Sequence, residues 1–412
     1  MIKILNITTT TQGGAGIASL RFHNAFTRMN LDSFIVTNDN KSKKKIKNKI
    51  LINKKKSFFN RLIGIIRILK SKISLVENFI IKKNRYCFYS FVELEGINFK
   101  NLQNLPDEID IIIIHWVDNF INLKNILYLK KYYKCKIIFF MYDMHIITAG
   151  CHYSYECKLY KSQCYPCPAV PGFLSKKVKD SFLIKKKLLN KINGTLIVFS
   201  NNDYKKAKES RYKFKKIYKS FIPIFLSKQK KIHIKKNINT KYILPSSLKF
   251  DPRKGFFRLK QVIQELSKIL EKNEKVMIFS KLNKYVNDFT STNIQIKNID
   301  SFRNIEQVYY NSDLYLNLST ADSAPQMLTE ALKSGLPIIS MDVGNASELI
   351  TEKNNGFLFR KYDPKKIANT LYQSLFKKNF IKFSKKKIIL DTSKKYSFKN
   401  FQREWHKILS EV

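Results

Sequence analysis

The chain is 412 residues long, with 44% apolar and 26% charged residues, which excludes a disulfide knot or a wholly disordered chain and favours two domains. Its 77 Lys and Arg outnumber 31 Asp and Glu, a formal net charge of +46 that draws polyanions and acidic lipid by Coulomb attraction. Lys, Ile, Asn, Phe and Tyr are abundant while Gly and Pro are scarce, the usage of A/T-rich codons, so part of that charge reflects drift on solvated faces. Four of the six cysteines crowd between Cys151 and Cys167, unlike a secreted disulfide framework, so a reducing compartment is expected. The N-terminus runs straight into a strand-like segment without the pattern of a signal peptide, and runs such as Ile111 to Ile114 fall far short of the ~20 residues that span a bilayer. A cytoplasmic location, peripheral at most, is expected.

Short apolar runs alternate with longer amphipathic stretches in both halves, the pattern of parallel strands joined by crossover helices, so two doubly wound α/β domains are predicted. The first strand, Lys3 to Thr8, leads into Gln12-Gly13-Gly14-Ala15-Gly16-Ile17-Ala18 and a helix. Glycines let a ligand approach bare backbone and a helix N-terminus offers N–H groups to an anion, so this loop is a candidate phosphate or sugar site. A dinucleotide fingerprint, G-x-G-x-x-G/A, would need Gly or Ala where Ser19 stands, although Asp39, after the second strand Ser33 to Thr37, lies where a ribose-binding acid would.

Residues 41–85 hold sixteen Lys or Arg and a single acid, Glu77. Phe59, Leu62, Ile65, Ile66, Leu69, Ile73 and Val76 recur at helical spacing, which predicts a basic amphipathic helix. Such a helix can lie on an anionic membrane surface or pack on its own sheet. No finger, RNP-like or basic-zipper pattern accompanies the charge, so nucleic acid is not expected as a partner.

The next strands are Asp110 to His115, Lys136 to Phe140 and Thr195 to Ser200. Between the last two, Cys151, Cys157, Cys164 and Cys167 are spaced C-x5-C, C-x6-C and C-x2-C. Four thiolates could close a structural zinc site, with His152 able to replace one; two disulfides or plain reduced thiols are the alternatives. A linker is predicted over Ile222 to Thr240, with Pro223 and the run Lys228-Gln229-Lys230-Lys231, so the domains are 1–224 and 225–395. A last amphipathic helix within 396–412, with Phe401, Trp405, Ile408 and Leu409 on one face, is expected to pack back on the first domain.

In the second domain the strands are Tyr242 to Ser246, Lys275 to Ser280, Leu314 to Leu318, Pro337 to Ser340 and Gly356 to Phe359. Asp251-Pro252-Arg253-Lys254-Gly255 follows the first of them and puts two cations in a turn that opens a helix. Ser319 to Leu332 carries Asp322 in a loop and Glu330 about a turn into a helix that begins near Pro325 or Gln326. Loops at the carboxyl ends of strands in a doubly wound sheet line one crevice, so cations and acids are predicted to meet there. Carboxylates accept hydrogen bonds from vicinal hydroxyls and cations neutralise a diphosphate, which together are the groups of a nucleotide sugar.

These residues resemble the retaining glycosyltransferases of family 4, also called group 1, over nearly the full length. Gly13 to Ala18 resembles the family's N-terminal glycine loop, and Ile114-His115-Trp116-Val117 the strand end that often reads His-Trp. Tyr142-Asp143-Met144, Gly150-Cys151-His152-Tyr153 and Cys164-x2-Cys167-Pro168 are similar to a branch active in bacterial cell-surface polysaccharide synthesis. Asp251 to Gly255 resembles the phosphate-binding turn and Asp322 to Glu330 the E-x7-E signature, with Asp322 in place of the first Glu and Tyr142 where many relatives carry His. The resemblance implies a GT-B fold, two Rossmann-like domains facing a central cleft. It further implies that Arg253 and Lys254 neutralise the donor diphosphate, Glu330 holds the ribose and Asp322 contacts the hexose. Ala324 and Gln326 would line the donor site, with the Gly14 to Gly16 backbone near the diphosphate and acceptor. Asp143 is a candidate for orienting the acceptor or sugar. The implied activity moves a hexose from a nucleotide sugar to a glycan or lipid-linked acceptor with retention, and no cofactor is required for it. A nicotinamide oxidoreductase using Gly14, Gly16 and Asp39, and a non-catalytic membrane or polyanion adaptor built on residues 41–85, are the competing classes.

Overall fold

The structure, a computed structural model, describes residues 1–39, 46–52, 105–118, 120–170, 172–226, 237–247, 251–281, 291–301, 305–377 and 379–412. The expected basic helix from Phe58 to Ile81 and the run Lys228 to Lys231 lie outside the described residues. The chain divides into two units, Met1–Pro223 with Gln402–Val412, and Ile224–Phe401.

The first unit is built on a seven-stranded parallel sheet in the order β3-β2-β1-β4-β5-β6-β7. Its strands are β1 (Lys3–Thr8), β2 (Asp32–Thr37), β3 (Lys49–Leu51), β4 (Ile111–Ile114), β5 (Lys136–Phe140), β6 (Thr195–Val198) and β7 (Ile217–Lys219). β4 reads Ile-Ile-Ile-Ile and is buried throughout, as a strand covered on both faces must be. The covering helices are α1 (Gly13–Arg28), α2 (Leu123–Tyr133), α3 (Gly172–Ile192) and α4 (Asn201–Glu209). Asn122 and Asn125 close a reciprocal capping box at the start of α2, and Ser200 caps α4 through the Asp203 amide.

The second unit carries six parallel strands in the order β10-β9-β8-β11-β12-β13. They are β8 (Thr240–Pro245), β9 (Lys275–Ser280), β10 (Ile294–Asn298), β11 (Leu314–Asn317), β12 (Ile338–Met341) and β13 (Gly356–Phe359). Its helices are α5 (Phe256–Ser267), α6 (Ile305–Asn311), α7 (Gln326–Lys333), α8 (Ala346–Leu349), α9 (Pro364–Phe376) and α10 (Lys385–Lys395); α11 (Phe398–Glu411) follows. Both sheets repeat the doubly wound order in which the chain reverses direction beside the first strand. The loops after β1 and β4 therefore flank one switch point, and those after β8 and β11 the other.

The strands expected from apolar runs all form, with ends shifted by a residue or two, and three further strands appear. These are β3, β7 and β10, each at the edge of its sheet. Edge strands need only one buried face, so Lys49-Ile50-Leu51, Ile217-Tyr218-Lys219 and Ile294 to Asn298 carry no continuous apolar run to betray them.

Gly255 precedes α5 at φ +84°, and a Cβ there would sit 2.1 Å from the Leu318 carbonyl oxygen. The 251–255 turn thus lies hard against the loop after β11. Gly255→Ala is expected to destabilise this unit by at least ~2 kcal/mol, from left-handed strain plus the clash, as checked by denaturant unfolding.

Candidate active site

The turn after β8 is fixed before any ligand is considered. The Asp251 carboxylate accepts from the amides of Arg253 (3.0 Å) and Lys254 (3.3 Å), an Asx turn. Thr320 donates its amide to the Arg253 carbonyl (2.8 Å), and Ser246 donates its hydroxyl to the Lys254 carbonyl (2.9 Å). The first bond staples the turn to the loop after β11 and the second to the end of β8.

Asp322 is the hub of that loop. The Lys254 ammonium bonds its Oδ2, and Arg253 Nη1 lies 3.5 Å from the same oxygen while donating to the Ala321 carbonyl at 3.1 Å. Burial raises the Asp322 pKa, but Lys254 and then Arg253 outweigh it and hold it below the ordinary carboxylate value. The sequence-predicted cations and acid are therefore brought together. Ala324 and Gln326 are half-buried at the entrance to α7, whose N-cap Pro325 supplies no side-chain hydrogen bond to the first turn.

Glu330 lies on the buried face of α7 and accepts from the Tyr309 hydroxyl of α6. Sequence reasoning missed Tyr309, which lies in no motif. Tyr315 on β11 connects the two acids: its hydroxyl is fully buried with no hydrogen-bond partner among the described residues. Burial raises its pKa well above 10, and Asp322 and Glu330 each push it further. Both carboxylates act on that one point.

In the first unit the loop glycines have different roles. Gly16 is buried, and a Cβ on it would meet the Thr10 carbonyl oxygen at 2.6 Å, so it is required for packing; Gly14 is exposed in the first turn of α1. Asp39 accepts from the Thr10 hydroxyl (2.8 Å) and from the Thr11 amide and hydroxyl (both 3.3 Å). It pins the turn between β1 and α1 through its Oδ2.

Asp143 begins the 3-10 turn Met144–Ile147, accepts from the His145 amide at 2.8 Å and pairs with His152 Nδ1 at 2.7 Å. On the other side of His152, Nε2 lies 3.7 Å from Asp118, and His145 stacks on its ring at 4.9 Å. Burial lowers the His152 pKa, but Asp118 and Asp143 outweigh burial and raise it to about 9. A fully buried lysine, Lys185, donates to the carbonyls of His145 and of Thr148 (3.0 Å) and holds the loop from within. Asp118, Asp143, His145 and Lys185, with Trp116 and Tyr142, border a small recess of the first unit whose other walls are mainly apolar, Ile114, Ile126 and Phe139 among them.

The cysteines do not form the expected zinc site. Among the described residues no group of three or more His, Cys, Asp or Glu is placed to hold a metal, and none of the five described cysteines forms a disulfide. Cys164 Sγ accepts from the Ala149 amide at 3.4 Å, and burial pushes its thiol up to about 11. A hydrogen bond with the Cys151 thiol brings the Cys167 thiol down to about 7. His152, the alternative ligand, is turned between its two carboxylates instead.

Residues 228–386 match the family described as glycosyl transferases group 1. The second unit holds a group 1 glycosyltransferase domain. Solved structures extend the likeness along the chain. HepE of Anabaena, solved with UDP and glucose, aligns with TM-score 0.63 at 12% identity over 100% of both chains. Sucrose-phosphate synthase of Thermosynechococcus elongatus aligns with TM-score 0.63 at 11% identity, covering 100% of this chain and 99% of its own. WaaG, a glycosyltransferase involved in lipopolysaccharide biosynthesis, aligns with TM-score 0.57 at 11% identity over 98% and 99%. These likenesses establish the GT-B fold, two Rossmann-like units. No curated protein matches the chain.

In the transferase domain sequence reasoning found the cation turn and both acids but not Tyr309 or Tyr315. In the N-terminal unit it found Asp143 but not Asp118 or Lys185, because neither belongs to a motif and only folding brings them to the loop. The His152 contacts carry a pH dependence. Its folded pKa of about 9 lies above the unfolded 6.5, so the stabilisation is complete below pH 6.5 and is lost as pH rises through about 9. Unit 1 is expected to lose at most about 3 kcal/mol across that window, and Asp143→Asn to flatten the slope, in denaturant unfolding at stepped pH.

Proposed function

We propose that the chain is a retaining glycosyltransferase that moves a hexose from a nucleotide diphosphate sugar to a glycan or lipid-linked acceptor in cell-surface polysaccharide synthesis. The observation that carries this reading is the convergence of Lys254 and Arg253 on Asp322, one loop ahead of Glu330, within a group 1 transferase domain. UDP and glucose in HepE, and the lipopolysaccharide role of WaaG, support the substrate class and setting.

The chemistry follows from charge. As the anomeric bond breaks, negative charge grows on the departing diphosphate, and cations already aimed at that position stabilise it with little reorganisation. Arg253 and Lys254 are held in register by Asp322, which the diphosphate meets as a competitor for the same two cations. Asp322 is then freed to accept from a hexose hydroxyl. Glu330, steadied by Tyr309, accepts from the ribose hydroxyls. The leaving phosphate takes the proton of the acceptor hydroxyl as it attacks from the same face, and Asp143 orients the incoming group.

Thermal unfolding with UDP-, ADP-, GDP- and dTDP-sugars tests the reading, because a ligand selective for the native state raises stability with its concentration. A concentration-dependent rise with a nucleotide sugar, lost in Glu330→Gln, is the expected result. A rise with reduced nicotinamide dinucleotide and none with any nucleotide sugar would overturn it.

A further inference from the structure

At the amino-terminal edge of the first sheet, at the opposite end of the strands from the Asp143 loop, six lysines surround a concavity of about 380 Å³. Lys130 and Lys131 belong to the last turn of α2 and Lys134 caps it, while Lys191 belongs to the last turn of α3. Lys136 opens β5 and Lys215 precedes β7. No Asp or Glu side chain lies among the lining residues. Thr195, in the wall, is buried with a hydroxyl that has no hydrogen-bond partner among the described residues, so the wall also holds an unmet donor.

Ordinary structural duty accounts for two of these lysines. Lys130 donates to the Ile192 carbonyl at 2.5 Å and ties the end of α2 to that of α3, and Lys215 donates to the Val412 carbonyl at 2.9 Å. Each helix C-terminus carries only about half a negative charge, so one cation balances both. Lys131, Lys134, Lys136 and Lys191 are exposed and make no hydrogen bond or ion pair among the described residues. Exposed lysines elsewhere in this unit do meet acids: Lys161 pairs with Glu209 and Lys216 with Glu411, each at 2.9 Å. Drift toward lysine on solvated faces would scatter charge. Here it is gathered from three segments of the chain onto one concave surface, where like charges repel until an anion enters.

We propose that this concavity is a binding site for a soluble oligophosphate, separate from the donor site of the second unit. Lysines are compact point charges on flexible stems, which suits a string of phosphates better than the planar grip that Arg applies to a single carboxylate or phosphate. One phosphate reaches only part of a ring spread over three segments, whereas linked phosphates engage several members at once. Asn193, exposed on the same wall, adds a neutral amide donor. A bilayer presents its phosphates in a plane, and a concave ring meets fewer of them than a ligand small enough to enter. The proposal is independent of the transferase reading, since the site lies wholly in the first unit and uses none of the residues assigned to transfer.

Lysine footprinting tests this without any variant. Full-length protein is acetylated briefly with an N-hydroxysuccinimide ester at physiological ionic strength, with and without sodium tripolyphosphate, and each lysine is read by peptide mass spectrometry. We expect saturable protection of Lys131, Lys134, Lys136 and Lys191 and none of Lys365, Lys386 and Lys394, which are exposed in the second unit. Inorganic phosphate should need roughly tenfold higher concentration for the same protection. Titration calorimetry then compares two variants of equal net charge. Lys131→Gln with Lys134→Gln and Lys191→Gln should weaken tripolyphosphate by at least roughly tenfold, and Lys365→Gln with Lys386→Gln and Lys394→Gln should leave it unchanged. None of these side chains takes a hydrogen bond within the described fold, so both variants should keep the circular dichroism of the unaltered protein. Lys254→Ala should leave protection of the four lysines intact, which separates this site from the donor site. Vesicles of phosphatidylcholine with phosphatidylglycerol should sediment the first variant as well as they do the unaltered protein. Uniform protection across both units, equal weakening in the two variants, or loss of vesicle binding in the first variant without a saturable response to tripolyphosphate would overturn the proposal.

Discussion

Lys254→Ala is expected to lower kcat by roughly 10²–10³-fold with a smaller change in KM, the loss seen when one preorganised donor to developing negative charge is removed. The argument rests on what the substitution leaves behind. Arg253 still lies 3.5 Å from Asp322, and the Asx turn and its bonds to Thr320 and Ser246 use the backbone of residues 253 and 254, not the Lys254 side chain. The unit should therefore fold, and the loss should fall on chemistry. Lys254→Arg restores charge without the same reach and should recover part of the rate. Glu330→Gln is the complementary case, because Gln still accepts from Tyr309 but presents no charge to a ribose. It should raise the donor KM by roughly tenfold and spare kcat, so steady-state kinetics on the two variants separates the roles. Full activity in both would reject the assignment of this site.

Trp405→Ala is expected to cost the N-terminal unit about 3–5 kcal/mol, as for other large aromatic side chains removed from a close-packed core. Trp405 packs edge-on against Phe26 at 4.9 Å and Phe22 at 5.7 Å, and its Nε1–H donates to Ser220 Oγ at 3.1 Å. Truncation leaves a cavity and an indole-sized gap beside Phe140 that α1 and β5 cannot close without moving the glycine loop and the Asp143 loop attached to them. Trp405→Phe keeps most of the volume and loses the hydrogen bond, so it should cost clearly less. Denaturant unfolding followed by circular dichroism, which does not depend on the deleted fluorophore, measures both. Equal, small losses would mean that α11 contributes little to this core.

What the sequence determined by itself was the set of interior strands, because a strand buried on both faces has to be written as a continuous apolar run, as in Ile111 to Ile114 and Leu314 to Leu318. It also determined the local geometry of the cation turn, since Asp251, Pro252 and Gly255 act on neighbours within a few residues. The apolar face of α11 was legible from its period, although Leu409, expected among the buried positions, is only half-buried.

Tertiary structure decided everything that depends on residues far apart in the chain. The edge strands β3, β7 and β10 exist because a finished sheet offers them an unpaired border, which no local pattern encodes. The four cysteines look like ligands by spacing, yet amide, thiol and carboxylate partners supplied by the fold take up Cys164, Cys167 and His152. Tyr309 meets Glu330 across 21 positions, helix to helix, and Asn6 meets His115 across 109, each pairing decided by which elements lie side by side. A hydrogen bond specifies only an atom at a distance of about 3 Å, and a sequence fixes such distances only where the intervening backbone is short.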